Sequence, residues 1–203
     1  MRLCSYVVRT DTGFAPNPFG QYCTAAACTP NHQGVQLHPG DWLVGHEPIR
    51  RGNKLVYAME ISEVLDFNTY FTDSRFEYKK PRPGSDWQTQ CGDNIYYVER
   101  GKWRQAWSPF HKKEQFEQDI SNPKVFIAEE FFYLGEHAVS IPSQFSEIIR
   151  KTQGCRCRYP AALVSSFVEW LQNRYSPGMY GLPRNRRQRE NEGLIQLQPK
   201  LGK

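Results

Sequence analysis

Apolar residues in this chain come in short clusters separated by proline- and glycine-rich breaks. The stretch from Arg2 to Arg9, with Tyr6, Val7 and Val8 inside it, alternates like a first strand. Asp11 to Gly20 then holds two prolines and two glycines, which excludes a helix or a central strand there. Tyr22 to Cys28 is small and apolar and stops at Pro30. After the Gly40-Asp41 turn comes a buried-type run, Trp42 to His46, and after Arg51-Gly52-Asn53 a longer strand, Lys54 to Leu65. Together these two read as a hairpin.

Phe67 to Asp73 predicts a short helical turn capped by Asn68. Regular structure is scarce from Arg75 to Lys113, where Pro81, Pro83, Gly84, Gly92 and Gly101 interrupt the chain. An irregular stretch of that length inside a compact domain is usually functional or mobile. Strand character returns from Val125 to Leu134, turns at Gly135-Glu136 and continues from Ala138 to Ile141. One helix is expected from Pro142 and Ser143 to about Lys151, and a second from about Pro160 to Arg174. Leu163, Val164, Phe167, Val168, Trp170 and Leu171 share one face of the second helix, a core stripe. No internal repeat is visible. The expected organisation is one domain over residues 1–183, followed by a basic, flexible tail over 184–203.

Composition narrows the class. Aromatic residues make up 14% of the 203, enough for a substantial core, so the chain is not of the disordered type. No apolar stretch approaches the roughly 18–20 residues of a membrane span, and Leu3 to Val8 is too short for a signal-peptide core. A cytoplasmic protein is the expectation. Six cysteines are present; without a secretory signal they read as mostly reduced thiols, and Cys-x4-Cys and Cys-x-Cys do not form matched zinc pairs, so no metal is expected. The net charge of +5 is unevenly spread. Nine Lys and Arg face four Asp and Glu between 75 and 113, and six face two between 184 and 203. Such clustering suits a polyanion-binding surface, or else a solvated face and a loose tail.

Several separate strings, in order, resemble one family. They are Ser5-Tyr6-Val7-Val8-Arg9, Gly13-Phe14-Ala15-Pro16-Asn17-Pro18, Tyr22-Cys23-Thr24, Gly40 to Gly45 and Lys54 to Met59. Tyr70, Asp73, Arg75-Phe76, Lys79-Lys80-Pro81, Cys91 to Tyr96, Phe132 to Gly135 and the Trp170 helix continue the match. The family is the nucleotide modification associated domain 2 group of prokaryotes and phages. The resemblance covers roughly residues 3–183 and implies an association with systems that modify nucleotides in DNA, with no established reaction to carry over. A looser similarity, at the level of fold, is to PUA-like domains of the EVE and ASCH kind, whose small barrel holds an extruded modified base. The expected fold is therefore α+β: a PUA-like curved sheet or small barrel flanked by two C-terminal helices.

The candidate site follows from residue chemistry. Arg75, Lys79, Lys80 and Arg82 are candidates for phosphate contacts. For a flipped base, Tyr96, Tyr97 and Trp87 offer stacking faces and Asp93 and Asn94 offer hydrogen bonds to its edge. Phe14 and Asn17, held between prolines, are candidates for lining the pocket. Each has a structural alternative: Asp93-Asn94 as an Asx turn, the following aromatics as a core strand, and the Phe14 loop as packing over a barrel end. Asp11, Asp41 and Asp93 are the carboxylates available for catalysis, with His46 a possible base and Cys91 a possible nucleophile. Phosphate-loop, dinucleotide and zinc-deaminase patterns are absent, and no cofactor is implied. The expected function is recognition of a modified base in DNA. The alternatives are an enzyme on a modified base or nucleotide, such as a glycosylase, and a protein-interaction subunit of a DNA modification or defence system.

Overall fold

The computed structural model describes residues 1–26, 34–152 and 154–185. Its strands and α-helices, in chain order, are β1 (Leu3–Val7), β2 (Cys23–Ala25), β3 (Trp42–His46), β4 (Leu55–Glu60), β5 (Glu63–Asp66), α1 (Phe67–Thr72), α2 (Trp87–Gln90), β6 (Tyr96–Glu99), β7 (Lys102–Gln105), α3 (Phe116–Ile120), β8 (Lys124–Ala128), β9 (Phe131–Tyr133), α4 (Ala161–Arg174) and β10 (Gly178–Met179). The α+β class holds.

Strands β1-β3-β4-β9-β10 form one sheet, in that order, with β1–β3 and β9–β10 parallel and the inner pairs antiparallel. A second sheet, β2-β8-β5, is antiparallel throughout. Alternation along the strands builds the layers. Leu3, Trp42, Val44, Ala58 and Phe132 face α4, meeting Val164, Phe167, Val168 and Leu171. Their neighbours Cys4, Tyr6, Leu43, Tyr57, Met59 and Tyr133 face the other way, onto Cys23, Ala25, Phe126 and Ala128 of the second sheet. The far face of that second sheet, Val125 and Ile127, packs under Phe67, Tyr70, Phe76, Ile95 and Tyr96. Helix, sheet, sheet and aromatic layer thus stack in sequence. The sheets stay open: among the described residues none closes into a barrel, which corrects that half of the expectation.

Several local expectations change for identifiable reasons. Lys54 to Leu65 is not one strand, because the chain changes sheet at Ile61-Ser62 between β4 and β5. Likewise Val125 to Leu134 splits at Glu129-Glu130, with β8 and β9 in different sheets. The cap of α1 is Asp66 rather than Asn68; its carboxylate accepts from the backbone of Asn68 and Thr69. Residues 96–105, expected to be irregular, form the β6–β7 hairpin. Arg100 and Gly101 both take positive φ at its turn, as a two-residue hairpin turn needs. The first C-terminal helix is a 3-10 segment, Ser143–Ile148, and the second is α4. Cys4 and Cys157 form a disulfide, because an antiparallel bridge between Ser5 and Arg156 sets them opposite one another, while Cys23, Cys91 and Cys155 are thiols. Arg184 and Asn185, at the start of the expected tail, dock on Asp11; the rest of it, and Cys28, lie outside the described residues. No helix among the described residues is long and apolar enough to cross a membrane.

Candidate functional site

Four of the expected site residues converge in the interior. The Lys79 ammonium is buried and donates to the Asn17 carbonyl (2.9 Å), Asn17 Oδ1 (2.6 Å) and the Tyr22 carbonyl (2.7 Å). Its three protons are thereby used inside the protein. Asp93, equally buried, accepts from Thr24 Oγ1 (2.9 Å), Tyr70 Oη (2.7 Å) and the Ala26 amide (3.3 Å). Asn94 donates to the Tyr70 and Phe76 carbonyls. Gly92 makes this possible: a Cβ there would fall 2.2 Å from the Lys79 carbonyl. Burial pulls Lys79 down to about 8, with Asp93 acting against it, and pushes Asp93 up, with Lys79 acting against it. Cys23, in the same interior, is pushed up to about 12 by burial.

Phe14 and Tyr96 meet a second centre. Tyr96 donates to Asp119 Oδ2 (2.6 Å), and His111 Nδ1 meets the same oxygen at 2.7 Å. The His111 ring stacks on Phe14, with centroids 4.5 Å apart. Burial, reinforced by Asp119, pushes the Tyr96 hydroxyl well above its usual range, so it stays a donor. Beside this centre is a pocket of about 320 Å³ lined by Trp103, Arg104, Gln105, Lys113 and Phe116. Trp103 and Gln105 share a strand face by alternation; Phe116 and Asp119 are one turn apart on α3. Gln105 Nε2 donates to the His111 carbonyl (3.0 Å), which fixes its amide orientation. That leaves Gln105 Oε1 buried with no hydrogen-bond partner among the described residues. A buried acceptor left bare costs roughly 1–3 kcal/mol, and a ligand N–H would recover it.

The remaining expected residues sit on the surface or in other contacts. Arg75 is held by Asp73 (2.6 Å) and Glu63 (2.9 Å), Lys80 by Glu77 (2.5 Å), and Arg82 lies 3.9 Å from Glu77. Their charge is largely compensated. Asp41 receives Arg2 through two side-chain bonds and its backbone amide; these and the His38 amide outweigh burial and lower its pKa. Asp11, raised by burial, accepts from Tyr133 and from the Arg184 amide. His46 is enclosed: Nδ1 donates to the Glu47 carbonyl (2.8 Å) while Nε2 accepts from the Arg150 amide (2.7 Å). The Cys91 thiol donates to the Thr12 carbonyl.

Uncompensated positive charge lies elsewhere. A larger open cavity of about 1060 Å³ is bordered by Arg2, Arg150, Arg156 and Arg158, with Cys155 and Cys157. The last three arginines have no acidic partner among the described residues. Arg156 lies over the Tyr159 ring at 4.6 Å, and Arg150 Nε is buried without a hydrogen-bond partner. Sequence reasoning passed over this group, although residues 150–158 hold four cations and no acid.

A family model, nucleotide modification associated domain 2, matches residues 1–190. The chain belongs to the nucleotide modification associated domain 2 family. No curated protein and no solved structure matches it. Nucleotide modification associated domain 2 thus supplies the context, an association with nucleotide modification, and both concavities fall within the matched residues.

Proposed function

We propose that the chain recognises a base in DNA, a modified one, by taking it into the pocket between Trp103 and Phe116. The observation that carries this reading is a pocket bordered by two rings, two cations and Gln105, whose side-chain carbonyl is buried without a hydrogen-bond partner among the described residues. A flipped base needs stacking surface and hydrogen bonds to its edge, and an exocyclic amino group would give Gln105 Oε1 its missing donor. Lys113 and Arg104 (the latter 3.4 Å from Glu99) at the pocket, and Arg150, Arg156 and Arg158, which have no acidic partner among the described residues, supply charge for phosphates. The PUA-like expectation belongs to this reading, since such domains hold an extruded base. Lys79 and Asp93, with Asn17 and Asn94, brace the loops beneath.

The test is binding of modified and plain oligonucleotides at low salt, with wild type, Q105A and W103A. Q105A keeps the fold and loses about 1–3 kcal/mol of affinity for the preferred base. Equal, negligible affinity for both DNAs, or unchanged binding by Q105A, refutes the proposal. A second reading, an enzyme acting on the base, draws on the His111–Asp119 pair, which has the form of an oriented general base. Mass spectrometry of modified DNA and nucleotides after incubation decides it: products abolished by H111Q support the enzyme, and unchanged substrates across a broad panel remove it.

A further inference from the structure

Three cysteine sulfurs meet where β1 pairs with residues 155–157. Ser5 and Arg156 exchange both backbone hydrogen bonds (2.9 and 3.0 Å). In an antiparallel pair this sets Cys4 opposite Cys157, with Cys155 diagonal on the same face. The three sulfur atoms lie within 4.8 Å of one another. A disulfide uses only two of them, Cys4 and Cys157, and leaves Cys155 as a thiol beside it. Cys155 and Cys157 also border the arginine-lined cavity, so the cluster is open to a solute.

We propose that the reduced chain holds one thiophilic divalent cation, zinc being the natural choice, on the thiolates of Cys4, Cys155 and Cys157, with the fourth position filled from the cavity. Tetrahedral zinc with sulfur at about 2.3 Å sets neighbouring sulfurs about 3.8 Å apart. The backbone register therefore already brings the ligands within a small adjustment of that geometry. Three thiolates overcompensate a divalent ion by one charge, and the guanidinium groups around the cavity offset that excess. The oxidised and metal-bound states exclude each other. A dithiol reductant breaks the Cys4–Cys157 bond, delivering two electrons and two protons and becoming a disulfide itself. Metal binding then releases the three thiol protons. The site does not depend on the base pocket.

The experiment uses the full chain, reduced under anaerobic conditions and titrated with Co²⁺ and then Zn²⁺. One ion per chain is expected, with a thiolate-to-cobalt charge-transfer band, and none on the oxidised protein. C155S, which keeps the disulfide and whose oxidised fold is checked by circular dichroism, weakens binding by at least about 100-fold, the upper end of what losing a mere supporting partner costs. Mass-spectrometric mapping of alkylation needs no variant: zinc should protect Cys4, Cys155 and Cys157 together. Absence of stoichiometric uptake by the reduced wild type, equal affinity of C155S, or protection of other cysteines instead overturns the site.

Discussion

Replacing Lys79 by methionine keeps most of the side-chain volume and removes the ammonium. The Tyr22 carbonyl then loses its donor, while the Asn17 carbonyl keeps the Thr24 amide and Asn17 Oδ1 the Phe19 amide, and the buried Asp93 carboxylate loses its nearest compensating charge. One bare carbonyl costs roughly 1–3 kcal/mol, partly relieved by relaxation, and breaking a buried charged network costs about 3–5 kcal/mol. We expect a loss of about 4 kcal/mol, or roughly 8–16 °C in Tm for a chain of this size. Urea unfolding followed by tryptophan fluorescence measures it, with the m-value unchanged. The variant also removes a pH signature. Burial lowers Lys79 from 10.5 to about 8, so between those values the unfolded chain binds more protons than the folded one. Through this group wild-type stability rises with pH across that window, and K79M lacks the rise. A loss below about 1 kcal/mol refutes the reasoning. So does an undiminished stability accompanied by a DNA-binding salt slope smaller by about 1, because that result puts Lys79 at a phosphate.

Three further outcomes follow from the structure. Replacing Arg156 and Arg158 together by alanine should weaken binding to all DNA sequences alike and reduce the salt slope by about 2, read by anisotropy titrations at several salt concentrations. In His46→Gln, acid sensitivity should lessen: burial lowers the His46 pKa below 6.5, so the unfolded chain takes the proton first and wild type loses stability as pH falls through that window, whereas the glutamine variant does not. Gly92→Ala places a Cβ 2.2 Å from the Lys79 carbonyl and should cost at least about 1–3 kcal/mol in chemical denaturation, more than an exposed glycine such as Gly84 would.

The sequence carried the fold where burial is one-sided or complete. Trp42 to His46, the turn at Gly52-Asn53 and the apolar stripe of α4 were legible because period and turn chemistry agree there. The hairpin at 96–105 was missed because its turn is Arg100-Gly101, and the first of these lacks the usual preference for positive φ. Asn17, Lys79, Asp93 and Asn94 were each singled out by residue chemistry, Lys79 for a phosphate and the other three for a base, and the structure joins them instead in one buried network. No sequence pattern, however, distinguishes a lysine facing phosphate from one whose three protons meet carbonyls 57 and 62 residues away. Trp103, Gln105 and Phe116 carry no motif; tertiary packing alone joins β7 to α3. The arginines of 150–158 were hidden by averaging over a longer segment whose acids lie elsewhere.

The five-stranded sheet draws its strands from residues 3–7 at one end of the chain and 178–179 at the other. A ribosome working from the N-terminus therefore exposes β1, β3 and β4 long before β9 arrives, and β9 keeps one bare edge until β10 emerges. A product halted before that point leaves its polar edge groups available to any neighbouring chain. The same ordering makes the C-terminal border of this domain a place where truncation costs more than the few residues removed.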